Sequence, residues 1–216
     1  MNITHALDEE ITGDRLQAIF DRQRELMVKY HPIESLSGLC QTEDNPLNLN
    51  CKKSQARIKD FAWRITEELG EAIDALEHTG ISEHFKEELV DGLHFLTELT
   101  LLCGWDHDDI LDIYPREGYD YLDLLLSQTN GIKGYWNGMY VQEFIQELGM
   151  MCNTLKNKPW KQSQMLTDVK AFEEQLSKVW IKYFTFFKAA NMPAEDIANV
   201  YLKKSQVNAF RQGSKY

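Results

Sequence analysis

Apolar positions recur along this chain at helical spacing, and no segment shows the strict alternation of a half-buried strand. Within "GDRLQAIFDRQRELMVKY" (residues 13–30), Leu16, Ile19, Phe20, Gln23, Leu26 and Met27 fall on one stripe, which predicts a helix ending before "HPIESLSG". Residues 31–52, punctuated by Pro, Gly, Asn and Asp, read as a loop anchored by Leu36, Leu39, Leu47 and Leu49. So long a loop in a compact domain points to function. A second helix is predicted from Ser54 to Glu77, with Ile58, Phe61, Ala62, Ile65, Leu69, Ala72, Ile73 and Leu76 inward. "HTGIS" breaks it, and Ser82 is placed to cap a third helix through Leu102, so that two antiparallel helices share a short turn. Pro115 and a Gly-rich link separate shorter helices beyond. Segments 139–160 and 166–192 predict two further long helices, and Pro193 opens a last one. The predicted fold class is all-α, a helical bundle in one domain over residues 1–216.

The hairpin has an internal echo. "ITEELGEAIDALE" (65–77) has a faint partner in "FIQELGMMCNTLK" (144–156), and "GWDHDDILDIY" (104–114) in "NMPAEDIANVY" (191–201). A hairpin at 54–103 would then recur in degenerate form at about 137–190. Met150 stands in the place of Glu71, Gln175 in that of Glu88 and Lys178 in that of Asp91, so one acidic cluster survives. Chance similarity between helical segments is the alternative.

That surviving cluster is the main chemical signal. Glu68 and Glu71 are three apart, as are Glu88 and Asp91, so each pair shares a helix face. If the two helices are antiparallel neighbours, four carboxylates converge on one point. Like charges in a desolvated cleft repel, which makes a cation their natural partner. Hard oxygen ligands without Cys or an obvious His favour Mg²⁺ or Mn²⁺ over zinc. A cation held so commonly also binds substrate phosphate oxygens and activates water. For any one E-x-x-E pair a solvated helix face is the competing reading; two pairs on consecutive helices fit it less well.

Composition narrows the partners. The formal net charge of −11 argues against sequence-independent binding to nucleic acid polymers, whereas an anionic small molecule stays compatible once metal ions screen it. No apolar run is long enough to span a bilayer and "MNITHALDEE" is not signal-like, so a cytoplasmic protein without membrane contact is expected. Cys40, Cys51, Cys103 and Cys152 lack metal-finger spacing and read as reduced, mostly buried thiols. Lys204, Asn208 and Arg211 recur at i, i+4, i+7 in "KKSQVNAFRQ", a donor stripe suited to phosphate oxygens or a basic helix end favoured by the macrodipole. Trp63 reads as core or a stacking platform, His94 as a satisfied buried histidine or a group that touches a phosphate or supports a ligand, and Lys52, Lys53, Arg57 and Lys59 as a basic patch, plain surface or a path for an anionic ligand.

"EELGE" (67–71) followed after sixteen residues by "ELVDGLHF" (88–95) resembles the E-x-x-E / E-x-x-D signature of the all-α NTP pyrophosphatase superfamily, which includes MazG-like proteins and the dimeric dUTPases. The ending "YLKKSQVNAFRQGSKY" (201–216) is similar to the K-N-x-x-N-x-x-R-Q segment of dimeric dUTPases and of phage dCTPase-dUTPases. The resemblance implies hydrolysis of a pyrimidine deoxynucleoside triphosphate, dUTP and also dCTP, to the monophosphate and pyrophosphate with Mg²⁺. It implies Glu68, Glu71, Glu88 and Asp91 as metal ligands, one Glu also orienting or deprotonating the attacking water. Lys204, Asn208 and Arg211 would hold phosphates or sugar, in a C-terminal helix at 193–212, and Gln23 would lie near the base. It further implies a homodimer, in a host cytoplasm if the chain is phage-encoded. Ser205 and Met27 depart from the family pattern, each standing where an Asn is frequent, and the Gly-Tyr order at the C-terminus is altered. A pyrophosphatase for another or modified dNTP, or a helical nucleotide-binding module without turnover, are the rival readings.

Overall fold

The computed structural model describes residues 3, 6–36, 45–158 and 160–213, the last two of these for the backbone only. Seven helices are found among the described residues: α1 (Arg15–Leu36), α2 (Lys52–Thr79), α3 (Glu83–Leu102), α4 (Tyr121–Gln128), α5 (Gly138–Thr154), α6 (Val169–Ala189) and α7 (Ala194–Gly213). The described residues form no sheet, and one isolated bridge joins Ile132 to Tyr135. The all-α architecture follows from the stripes. Leu16, Ile19, Phe20, Gln23, Leu26 and Met27 are the buried face of α1, as the pattern predicts.

α2 and α3 form the tightest pair, α5 and α6 the next, and α1 lies along α7. Gly80 ends α2 at φ 71, a left-handed conformation that Cβ-bearing residues avoid, and its N–H donates to Leu76 O at 2.9 Å. Ser82 then accepts from Phe85 N at 3.2 Å and starts α3. α3 packs against α1, α2, α6 and α7 and is the central helix. Its burial extends to Glu88, His94, Thr97 and Glu98 as well as the leucines, because four helices pack around it and, beyond its first turn, leave only the stripe of Glu87, Asp91 and Phe95 partly open. Polar groups on α3 therefore need partners from neighbouring helices.

α1 continues through residues 31–36, where a loop is predicted, and carries Pro32 inside it. The proline removes one helical N–H. Tertiary contacts hold the last turn: Glu34 receives Arg57 at 2.6 Å and Arg64 at 3.2 Å, and Ser35 Oγ donates to His31 O. Leu36 is 90 % exposed and Leu47 buried; Leu39 and Cys40 lie outside the described residues. The aromatics of "WIKYFTFF" (180–187) are core, with Trp180, Tyr183, Phe184, Phe186 and Phe187 fully buried.

Gly92 sets the spacing of α3 against its neighbours. A Cβ there would lie 2.1 Å from Tyr183 Oη and 3.4 Å from Glu68 Cβ, and Tyr183 Oη donates to Leu89 O at 2.7 Å. Gly92→Ala is expected to destabilise the protein by about 1–3 kcal/mol through overpacking. Tyr183→Phe in the same chain should recover part of that loss, a non-additivity that thermal unfolding of both single variants and the double variant would measure.

Candidate functional site

The α2–α3 turn puts the two acidic pairs face to face. One carboxylate oxygen from each of Glu68, Glu71 and Glu88 lies within 4.8 Å of the other two. Glu88 is buried, Glu68 and Asp91 are half-buried, and Glu71 is exposed, so the cluster opens to solvent on the Glu71 side. Asp91, one turn beyond Glu88, receives Lys204 Nζ from α7 at 2.6 Å, and the same ammonium is 3.7 Å from Glu87.

The electrostatics are those of a cluster lacking enough positive charge. Burial, then Asp91, Glu71 and Glu88, push the Glu68 carboxyl from the ordinary 4.5 to about 8. Glu88 is raised by burial and by Asp91, and Asp91 by burial even against Lys204. Burial works against the Lys204 charge, yet Asp91 holds that ammonium above its usual range. A second cluster, Asp106–His107–Asp108, behaves oppositely. Burial opposes ionisation of Asp106, but hydrogen bonds from His107 and the Arg24 guanidinium hold its carboxyl below the usual range. That group is already satisfied, whereas the α2–α3 cluster is not.

Beside the acids lies a cavity of about 340 Å³ whose walls include Glu68 and Asp91, Gln23 from α1, and Asn208 and Arg211 from α7. Lys204 joins them through Asp91. Glu68, Glu71 and Glu88 form one cluster, Asp91 stands beside it paired with Lys204, and Glu68, Asp91, Gln23, Asn208 and Arg211 share the cavity wall. An oxygen-only donor set with an excess of carboxylates fits a hard divalent cation.

Between α5 and α6, Gln175 lies between Glu147 and Lys178, and its amide, turned to donate to Glu147 Oε2 and accept from Lys178 Nζ, would make contacts of 3.0 Å and 3.1 Å.

A family model described as dUTPase matches residues 16–216, nearly the whole chain. The chain belongs to the dUTPase family. Comparison with curated proteins and with solved structures gave no match. Family membership implies a nucleotide substrate for a hydrolase of this kind, and the cavity beside the acids is where this dUTPase-family chain could receive one.

The departures from the family pattern have clear places. Met27 is buried in the core, and Ser205 is fully buried at the α1–α7 contact, donating to Leu202 O and accepting from Arg22. Other predicted candidates lie elsewhere. Trp63 is 62 % exposed, pointing out with its indole N–H on Glu67, and is neither core nor part of the cavity. Lys52 donates to Lys161 O, Arg57 to Glu34 and Lys59 to Leu155 O, so that patch is dispersed. His94 is buried as predicted but only half satisfied: Nδ1 meets Gln23 Oε1 at 3.0 Å, and Nε2 has no partner among the described residues. Burial, with Lys204 nearby, pushes the His94 imidazole down to about 3, so it is neutral. Cys51, Cys103 and Cys152 are of intermediate exposure, and no disulfide joins them.

Glu98, Tyr201, Tyr30 and Phe95 were not singled out by the sequence. Glu98 follows Asp91 by seven positions and so shares its helix face, a signal the sequence does contain. Tyr201 and Tyr30 reach the site only because α1 and α7 pack on α3.

Proposed function

We propose that this protein hydrolyses a pyrimidine deoxynucleoside triphosphate, dUTP and also dCTP, to the monophosphate and pyrophosphate, with Mg²⁺ or Mn²⁺. The observation that carries this reading is one cavity that joins an under-neutralised acidic cluster to the cationic and amide side chains of α7 and α1. Glu68, Glu71, Glu88 and Asp91 would hold the cation. Bound there, it supplies Lewis-acid polarisation of phosphate oxygens and a water of lowered pKa. Lys204 and Arg211 balance phosphate charge that the acids would otherwise repel, and Asn208, between them on the helix, donates to phosphate or sugar. A Glu of the cluster, ionised once its neighbours are neutralised, orients the attacking water and takes its proton.

We further infer that residues 1–216 act as one unit, with the hairpin at 54–103 active, the one at about 137–190 a degenerate copy, and the helix at 193–212 holding phosphate. The Glu147–Gln175–Lys178 contact supports the second element. A homodimer, expected from the family resemblance, is tested by sedimentation. A site in the cytoplasm, a phage host's included, is consistent with the described helices, none of which is long and apolar enough to cross a membrane.

Pyrophosphate release over a panel of dNTPs, with Mg²⁺ and with chelator, tests the function. Turnover of dUTP and dCTP that chelator abolishes is the expected result. Turnover confined to other or modified dNTPs replaces the substrate assignment, and binding without turnover of any nucleotide overturns the enzyme.

A further inference from the structure

Away from the acids, the cavity ends in a buried hydrogen-bonded chain whose last member has an oxygen to spare. Gln23 is 2 % exposed; its Oε1 accepts from Tyr201 Oη at 2.6 Å and lies 3.0 Å from His94 Nδ1. Its Nε2 therefore points the other way and donates to Glu98 Oε2 at 2.9 Å. Glu98 is 5 % exposed and lines the cavity with Gln23. Its other oxygen, Oε1, has no hydrogen-bond partner among the described residues, yet it is not one of the wholly enclosed orphan atoms there. It opens on the cavity. Seven residues of helix separate Glu98 from Asp91, about 10 Å along the axis, which is comparable with the span from the phosphate nearest the sugar to the base of a nucleotide.

We propose that Glu98 reads the base: its free carboxylate oxygen accepts from the exocyclic amino group of a 4-aminopyrimidine, so that dCTP is preferred over dUTP. This rests on the triphosphate reading above. A carboxylate offers acceptors only. Cytosine presents an N–H donor at C4, whereas uracil presents a carbonyl oxygen there, which sets lone pair against lone pair in a desolvated pocket. The carboxyl is surrounded by Glu34 and Tyr30 of α1, Arg57 and Arg64 of α2, His94 of α3 and Tyr201 of α7. Burial and then Glu34 raise it to about 7, against the pull of Arg57, Arg64 and Gln23. Below that pH Oε1 carries a proton and becomes a donor, which suits the uracil carbonyl. Above it Oε1 is an acceptor.

Two measurements test the assignment. In the wild-type protein, the ratio of kcat/KM for dCTP to that for dUTP is expected to rise as pH passes through about 7. In Glu98→Gln, Gln23 Nε2 still demands an acceptor, so the new amide turns its oxygen to Gln23 and its NH₂ to the cavity, a donor in place of an acceptor. The ratio should then fall by roughly tenfold or more and lose its pH dependence. Equal effects of Glu98→Gln on both nucleotides overturn the proposal and leave the triphosphatase reading standing. A wild-type ratio independent of pH does the same, and it decides the matter should the variant fail to fold. A wild-type protein that hydrolyses neither nucleotide overturns both.

Discussion

Glu68→Gln is expected to lower kcat on dUTP by a factor on the order of 10²–10³, the usual scale for removing one charged group aimed at a reacting centre. Glu68 is the group on which Asp91, Glu71 and Glu88 all act, and its carboxyl is pushed furthest, to about 8. On the proposed reading, neutralising it removes a cation ligand and the charge that would orient the attacking water. The same change relieves repulsion in the cation-free protein. Its Tm without Mg²⁺ should therefore hold or rise, while the increase in Tm on adding Mg²⁺ shrinks. A fall in cation-free Tm together with undiminished turnover would mean that Glu68 is a packing residue and nothing more. Pyrophosphate release and thermal unfolding with and without Mg²⁺ give both readouts.

The second large effect is a pH dependence of stability that the cation should cancel. A group whose folded pKa is raised contributes most to stability below its unfolded value and loses that contribution as pH climbs through the folded one. For Glu68 the window runs from 4.5 to about 8. Across it the unfolded chain releases the proton that the folded chain retains, so each step up in pH favours unfolding. Glu88 and Asp91 shift in the same direction and add to the slope. Glu34 and Asp120 have lowered carboxyls despite their burial, because arginines face them. Their stabilisation is lost on the acid side, so the two effects separate. Saturating Mg²⁺ neutralises the cluster and stabilises the folded state by mass action, most strongly where the acids are ionised. The expected result is a Tm that declines toward pH 8 without cation and is nearly level with it. Equal slopes in both conditions would place the cation somewhere other than this cluster.

The helices of this protein were legible because its apolar residues keep helical spacing and its breaks are local: Gly80 and Ser82 end and start helices through their own backbone and side-chain chemistry. Clustering of Glu68, Glu71 and Glu88 was likewise readable, since one short turn between two helices leaves little freedom in how their faces meet. Residues 31–36 were not. Proline and polar composition argue for a loop locally, and the Arg57 and Arg64 contacts with Glu34 that keep them helical come from α2. The polar knot of Gln55, Asn157 and Thr167 was equally hidden, because the segment between α5 and α6 that carries Asn157 and Thr167 meets Gln55 of α2 only in the folded chain.

By itself the sequence determined an all-α chain with a carboxylate hairpin and a C-terminal donor stripe, because periodicity and i, i+3 or i, i+4 spacing are properties of one helix or of neighbours in the chain. Only the tertiary structure decided that α1 and α7 close on α3, that Lys204 neutralises Asp91, and that Gln23 turns its amide toward Glu98. Those relations join residues distant in sequence, and they are set by the need to bury apolar faces and satisfy the polar groups carried in with them.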